Sequence, residues 1–204
     1  MLRATKVRIY PTPEQAEFIN AQFGAVRFAY NKALHIKKHS YQRHRVNLNP
    51  RKDLKPLLAV AKKSRRYGWL KEYDSIALQQ AVINLDVAFS NFFNPKLKAG
   101  KPTFKSKHGR QSSYHCVGIK VLDGAIKIPK ILPIEARLHR EITGMLKSIT
   151  LSRSATGKYY ASLLCDDGME APAKPALISN VTGLDTVSYT HLRAPVSYTH
   201  LRAH

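Results

Sequence analysis

Residues able to do chemistry gather in two stretches of this 204-residue chain. From Pro95 to Tyr114 six cations (Lys96, Lys98, Lys101, Lys105, Lys107 and Arg110) run without a carboxylate, with Phe104 and Tyr114 among them. Such a strip suits a polyanion: ammonium and guanidinium groups pair with phosphates, and ring faces can stack on bases. Phosphate contact is the expectation for Lys101, Lys105, Lys107 and Arg110. For Phe104 and Tyr114, core packing is the commoner fate of an aromatic. Between His35 and Lys71 twelve Lys or Arg face one acid, Asp53, an imbalance that a merely solvated surface does not require. His35 and His39 have the i, i+4 spacing of a helical metal pair, but Lys37 and Lys38 between them and the lack of a nearby carboxylate or cysteine oppose that use.

Composition narrows the partner. A formal charge of +21 with a pI near 10.2 exceeds what solubility needs, and it repels itself in a compact fold unless an anion offsets it. Nucleic acid is the leading partner. A membrane surface competes poorly, because the cations are spread along the chain and neither an eighteen-residue apolar run nor an N-terminal signal pattern is present. A cytoplasmic, nucleoid-associated protein is therefore expected. Hydrophobic content of 44% suffices for a core. Cys116 and Cys165 lie outside any CxxC pair and read as core thiols.

The elements that must position these residues are legible in part. Thr5 to Tyr10 alternates as a strand, with Val7 and Ile9 on one side. Thr12-Pro13-Glu14-Gln15 is a capping box, and Ile19, Phe23, Val26, Tyr30 and Ala33 continue at helical spacing, with Gly24 a point of weakness. Leu54, Leu57, Leu58 and Val60 suggest a short helix packed beneath the basic face. Asp74 or Ser75 caps a helix whose inner stripe is Leu78, Val82, Leu85, Phe89 and Phe92. Beyond Tyr114 the period becomes alternating. Val117 to Val121 and Ile126 to Ile128 flank Asp123-Gly124 as a hairpin, and Met145 to Arg153 pairs with Lys158 to Cys165 around a Gly157 turn. Five or six short strands make a small barrel or a strongly twisted sheet, so the fold class is α+β.

Several ordered blocks, RIYPTPEQ at 8–15, GAVRFAYNKAL at 24–34, WLKEYDSIALQQAVINLDVAFSNFF at 69–93, GKPTFKSK at 100–107, IPKI at 128–131, KSITLSR at 147–153 and GKYYASLLC at 157–165, resemble the TnpB (OrfB) family. Members of that family are transposon-encoded, RNA-guided RuvC-type endonucleases related to type V CRISPR effectors. The resemblance implies a small antiparallel β-barrel of the wedge or OB-like kind over 1–12 and 96–167, and an inserted helical recognition lobe over 13–95. It also implies a linker over 168–180 and the start of a RuvC nuclease domain at 181–186. Residues 187–204 are a near-perfect nine-residue tandem repeat, VSYTHLRAP then VSYTHLRAH, read as a sequencing or adaptor artefact.

The resemblance also assigns roles. Gly183-Leu184-Asp185 matches the first RuvC strand, making Asp185 the first catalytic, metal-binding carboxylate. The remaining carboxylates and the family's zinc ribbon have no counterpart here. RuvC chemistry needs several carboxylates around paired Mg²⁺ ions, so the chain as given is expected not to cut DNA. What remains is binding: guide RNA held by barrel and lobe, and a short motif of double-stranded DNA read beside the target. Gln79 matches a motif-reading position and glutamine can pair bidentately with adenine, the plain alternative being a polar residue on the outer helix face. Ser75 occupies a neighbouring contact position without an obvious match in residue type. Arg27 and Asn31 are candidates for backbone contact, whereas Tyr30 lies on the apolar stripe. The competing expectations are a stand-alone DNA- or RNA-binding regulator of a transposon and a ribosomal-type RNA-binding protein.

Overall fold

The computed structural model describes residues 1–107, 111–139 and 142–170. Strand β1, Leu2–Tyr10, runs into α1, Pro13–His44, through the expected capping box. The Gln15 N–H donates to Thr12 Oγ1 (3.3 Å), and Gln15 Oε1 accepts from the Thr12 N–H (3.0 Å). α1 continues unbroken through Gly24 for 32 residues, about 48 Å at the usual helical rise. It stops at Arg45, a left-handed cap (φ 56°) whose N–H donates to the Tyr41 carbonyl.

A turn of π-helix, Pro50–Leu54, leads into α2, Lys55–Lys63, and a 3₁₀ segment, Gly68–Glu72, precedes α3, Ser75–Phe93. α2 departs from expectation. Leu54 is buried just ahead of it, but no residue of α2 itself is buried, and Leu57 and Val60 stand exposed. Asp74 caps α3, its carboxylate accepting from the Ile76 N–H (3.0 Å), and Leu78, Val82 and Leu85 are buried as the spacing requires.

Six further strands follow: β2 Gln111–Cys116, β3 Lys120–Leu122, β4 Ala125–Lys127, β5 Ile134–Arg137, β6 Met145–Ser154 and β7 Tyr159–Asp166. Among the described residues they form with β1 one antiparallel seven-stranded sheet in the order β2-β6-β7-β1-β5-β4-β3. Its register places Val7 opposite Ala161, Leu151 opposite Ala161 and Tyr114 opposite Leu151. The Asp123-Gly124 hairpin forms, Gly124 taking φ 65°, but its first strand begins at Lys120 rather than Val117, because Gly118 turns the chain at φ 73°. The sheet is α+β in context but open: β2 and β3 are unpaired edges in the ladder, so the expected barrel closure is not made among the described residues.

One core joins helices and sheet. Ile19, Phe23, Val26, Tyr30 and Ala33 of α1 pack with Leu78, Val82 and Leu85 of α3 and with Val7, Ile9, Ile149, Leu151 and Leu163 of the sheet. Cys116 and Cys165 are free, buried thiols, and burial pushes Cys116 up to about 12. Gln22 ties α1 to α3 inside this core: wholly buried, it accepts the Asp74 N–H at 2.9 Å.

Candidate nucleic-acid interface

Asn31 fastens the basic strip to α1. The Asn31 amide makes two bonds to the backbone of Lys105, accepting its N–H (2.8 Å) and donating to its carbonyl (3.0 Å). This pairing mimics a strand ladder and fixes the strip's register. With it in place, Lys105 Nζ lies 4.3 Å over the Tyr30 ring and Lys38 Nζ 4.9 Å over Phe104. Burial lowers the Lys105 ammonium from its ordinary value and raises the Tyr30 phenol.

Beside the strip, a cleft runs between the helices and edge strand β2. One part, about 270 Å³, is lined by Arg27, Lys105, Ser106, Ser112 and Ser113 over Phe23 and Val26. The adjoining part, about 220 Å³, is lined by Gln80, Asn84, Lys105, Ser113, His115 and Thr150. Lys105 borders both. Gln80 Nε2 donates to Asn84 Oδ1 at 3.0 Å, one turn along α3, leaving further amide capacity for a ligand. Burial lowers His115, against a smaller opposing pull from Asp74, so near pH 7 its imidazole is neutral and can both donate and accept. A cationic mouth over an amide, imidazole and hydroxyl wall has the donor and acceptor types that read base edges.

The sequence-derived candidates divide accordingly. Arg27 and Lys105 line the cleft, and Lys101 and Lys107 are exposed on the same strip. Asn31, expected on the nucleic-acid backbone, has one donor and one acceptor engaged by Lys105 and acts as a fastener. Gln79 is exposed, while its neighbour Gln80 faces the cleft. Ser75 is exposed at the start of α3, with its hydroxyl accepting from Lys62 Nζ at 2.5 Å. Burial, then the proximity of Lys130, lowers Lys62. Phe104 corrects the core expectation, being 52% exposed, whereas Tyr114 is buried edge-on against Phe23. The stacked imidazoles of His35 and His39 lie 5.9 Å apart by ring centroid. Arg110 and Asp185 lie outside the described residues, as do the linker beyond Glu170, the Gly183-Leu184-Asp185 segment and the repeat at 187–204.

Gln80, Asn84, His115 and Thr150 escaped the sequence reading. Gln80 and Asn84 carry an i, i+4 signal on α3, but that face becomes a cleft wall only when β2 is laid beside it.

Comparison with known proteins gives the class to which this fold belongs, a transposon-associated, nucleic-acid-binding endonuclease family. Residues 1–45 match the helix-turn-helix domain of the OrfB/IS605 type. In this structure those residues form β1 and a single continuous α1, ending at the Arg45 cap. A putative RNA-guided DNA endonuclease of Streptomyces pristinaespiralis is 32% identical over 91% of this chain and 48% of its own length. The putative RNA-guided DNA endonuclease InsQ of Escherichia coli K12 is 28% identical over 90% of this chain and 45% of its own length. The virulence protein VsdF of Salmonella dublin is 78% identical over 54% of this chain and 98% of its own length. The chain belongs to the TnpB (OrfB) family. It spans about half the length of the two endonuclease relatives. Among the described residues no helix is long and apolar enough to cross a membrane.

Proposed function

We propose that this chain supplies the nucleic-acid-binding part of an RNA-guided endonuclease, holding a guide-RNA scaffold and reading a short double-stranded DNA motif beside the target. The observation that carries the reading is the cleft between α3 and β2, where Gln80, Asn84, His115 and Thr150 stand behind Lys105 on a chain of charge +21. Phosphate contacts from Arg27, Lys101, Lys105, Lys107 and Arg110 would set position, and the cleft wall would set sequence preference. In this reading the open sheet is the family's wedge-type barrel, residues 13–95 its recognition lobe, and Gln80 takes the motif-reading place first given to Gln79. Ser75 with Lys62 would contact the adjoining backbone.

Asp185 would be one carboxylate of the RuvC site, where Mg²⁺ supplies a metal-activated water for phosphodiester hydrolysis. The 204 residues contain no further RuvC or zinc-ribbon motif, so by themselves they are expected to bind without cutting.

The test is binding of the purified chain to a transposon-end transcript and to a randomised DNA duplex. Gln80→Ala and His115→Ala should each relax preference at a base position by about 1–3 kcal/mol while leaving the salt dependence alone. Unaltered preference in both variants refutes the reader. Mg²⁺-dependent cleavage by the same preparation, abolished in Asp185→Ala, refutes the inactivity.

A second reading, a stand-alone regulator that binds transposon DNA or RNA, draws support from the Salmonella relative, which matches this chain over nearly all of its own, shorter length. Sequence-specific duplex binding without any RNA present would favour it.

A further inference from the structure

Phe93 ends α3 with 69% of its surface exposed, the least protected phenylalanine among the described residues. Its ring lies nearly parallel to Phe89, with centroids 6.3 Å apart and planes at 22°, and is tilted against Phe92 at 5.0 Å. The platform beneath it is fixed. Lys37 Nζ sits 4.8 Å over the Phe89 ring and is itself held by Asn47 Oδ1 (2.6 Å) and the Leu48 carbonyl (2.5 Å). A cavity of about 240 Å³ opens between Lys37, Asn49, Ser90 and the two rings. The one carboxylate there, Asp86, faces Arg51 Nε at 3.6 Å.

The chain then turns, and the exposed residues that follow the ring in sequence are cationic. Asn94 Oδ1 accepts the Lys96 N–H (3.0 Å) and the Asn94 carbonyl accepts the Leu97 N–H (3.0 Å), which sets Lys96 and Lys98 in solvent within five residues of Phe93. No carboxylate occurs between Val87 and Leu122. A second copy of the chain is a poor occupant, since it brings another +21. An exposed aromatic followed within five residues by two exposed lysines is complementary to a flat, apolar group attached to a phosphate.

We propose that Phe93 is a stacking platform for an unpaired nucleobase, with Lys96 and Lys98 on the adjoining phosphates, so that this end of α3 selects single-stranded over duplex nucleic acid. Stacking needs a free base face, which only an unpaired segment offers, and it is tolerant of sequence because every base has one. The inference rests on the nucleic-acid reading above and adds to it a site at the C-terminal end of α3, with lining residues other than those of the cleft.

The test uses the whole chain with a mixed-sequence single-stranded RNA and a DNA duplex, read by fluorescence anisotropy across salt concentrations. Phe93→Ala should weaken single-strand binding on the order of 10- to 100-fold with the salt slope and duplex affinity unchanged. Phe93→Trp, made in a Trp69→Phe background, should keep the affinity, and its indole emission should be quenched when the single strand binds. Thermal unfolding of each variant controls for folding. Unchanged single-strand affinity in Phe93→Ala, with the indole unquenched, overturns the platform and leaves the patch to a protein partner. Failure of the unmutated chain to bind any RNA or DNA refutes the broader reading instead, so the two failures are distinguishable.

Discussion

Asn31 shows how one amide can decide what a whole strip of charge does. Its two bonds to Lys105 hold the backbone of the strip on α1, and from there the Lys105 ammonium reaches the cleft. Asn31→Ala should cost about 1–2 kcal/mol in urea unfolding and weaken nucleic-acid binding more than removal of any single exposed lysine, because it releases several cations together. Equal effects of Asn31→Ala and Lys101→Ala on affinity would contradict this. His115 gives a second prediction at this scale. Burial lowers its pKa below the ordinary 6.5, so between the two values the unfolded chain binds more protons than the folded one. Stability then rises with pH through that window, and the contribution is lost as pH falls below about 6.5. The His115 imidazole should accordingly titrate below 6.5 by NMR, and His115→Gln should flatten the acid side of the stability profile. A titration at or above 6.5 would remove the basis for a neutral imidazole in the cleft.

At the scale of elements, the cleft exists because α1 and α3 keep a fixed relation, and Gln22 is the polar link between them. Its Oε1 satisfies the N–H of Asp74, the residue that caps α3, in a place without water access. Gln22→Glu keeps the volume and an oxygen for that N–H, whereas Gln22→Met orphans the N–H but also removes the Gln22 Nε2, a buried donor without a partner, so its cost by urea unfolding should stay at or below about 1 kcal/mol. A cost of several kcal/mol for Gln22→Met would mean that the Nε2 is satisfied in solution. Both helices were legible in the sequence because their signals are local: the capping box at Thr12 and the stripe from Leu78 to Leu85 need no knowledge of the rest of the fold. β2 was not legible. Gln111 to Cys116 offers only Tyr114 and Cys116 as alternating buried positions, and its strand character comes from pairing with β6. The same holds for the site. Lys101, Lys105 and Lys107 stood out as candidates by charge and Arg27 through the family resemblance, but Asn31 and Gln79 could not be sorted from Gln80 and Asn84 without knowing which face of each helix meets the strip and β2. The open sheet has a related cause. Strand count and alternation specify how many strands exist and which face each buries, but closure depends on whether the edges β2 and β3 meet, and no local pattern encodes that.

At the scale of the whole molecule, a charge of +21 makes binding to any polyanion strong at low salt, so affinity alone says little about which contacts are specific. The salt dependence separates them. Each cation that displaces a counterion from duplex DNA contributes about 0.9 to the slope of log K against log salt, whereas an uncharged side chain contributes none. Lys101→Ala combined with Lys107→Ala should therefore lower the slope by about 2 and weaken all duplex sequences alike. Gln80→Ala should leave the slope intact and penalise only the preferred sequence. Lys105→Ala should do both. Its ammonium lies over Tyr30 at the border of both parts of the cleft, so on the proposed reading its loss removes a phosphate contact and loosens the wall behind it. Measured together, the variants test whether positioning and reading are divided between the strip and α3. If Gln80→Ala changes the slope, or the double lysine variant changes sequence preference, the division is wrong and the cleft acts only as part of a general anion-binding surface.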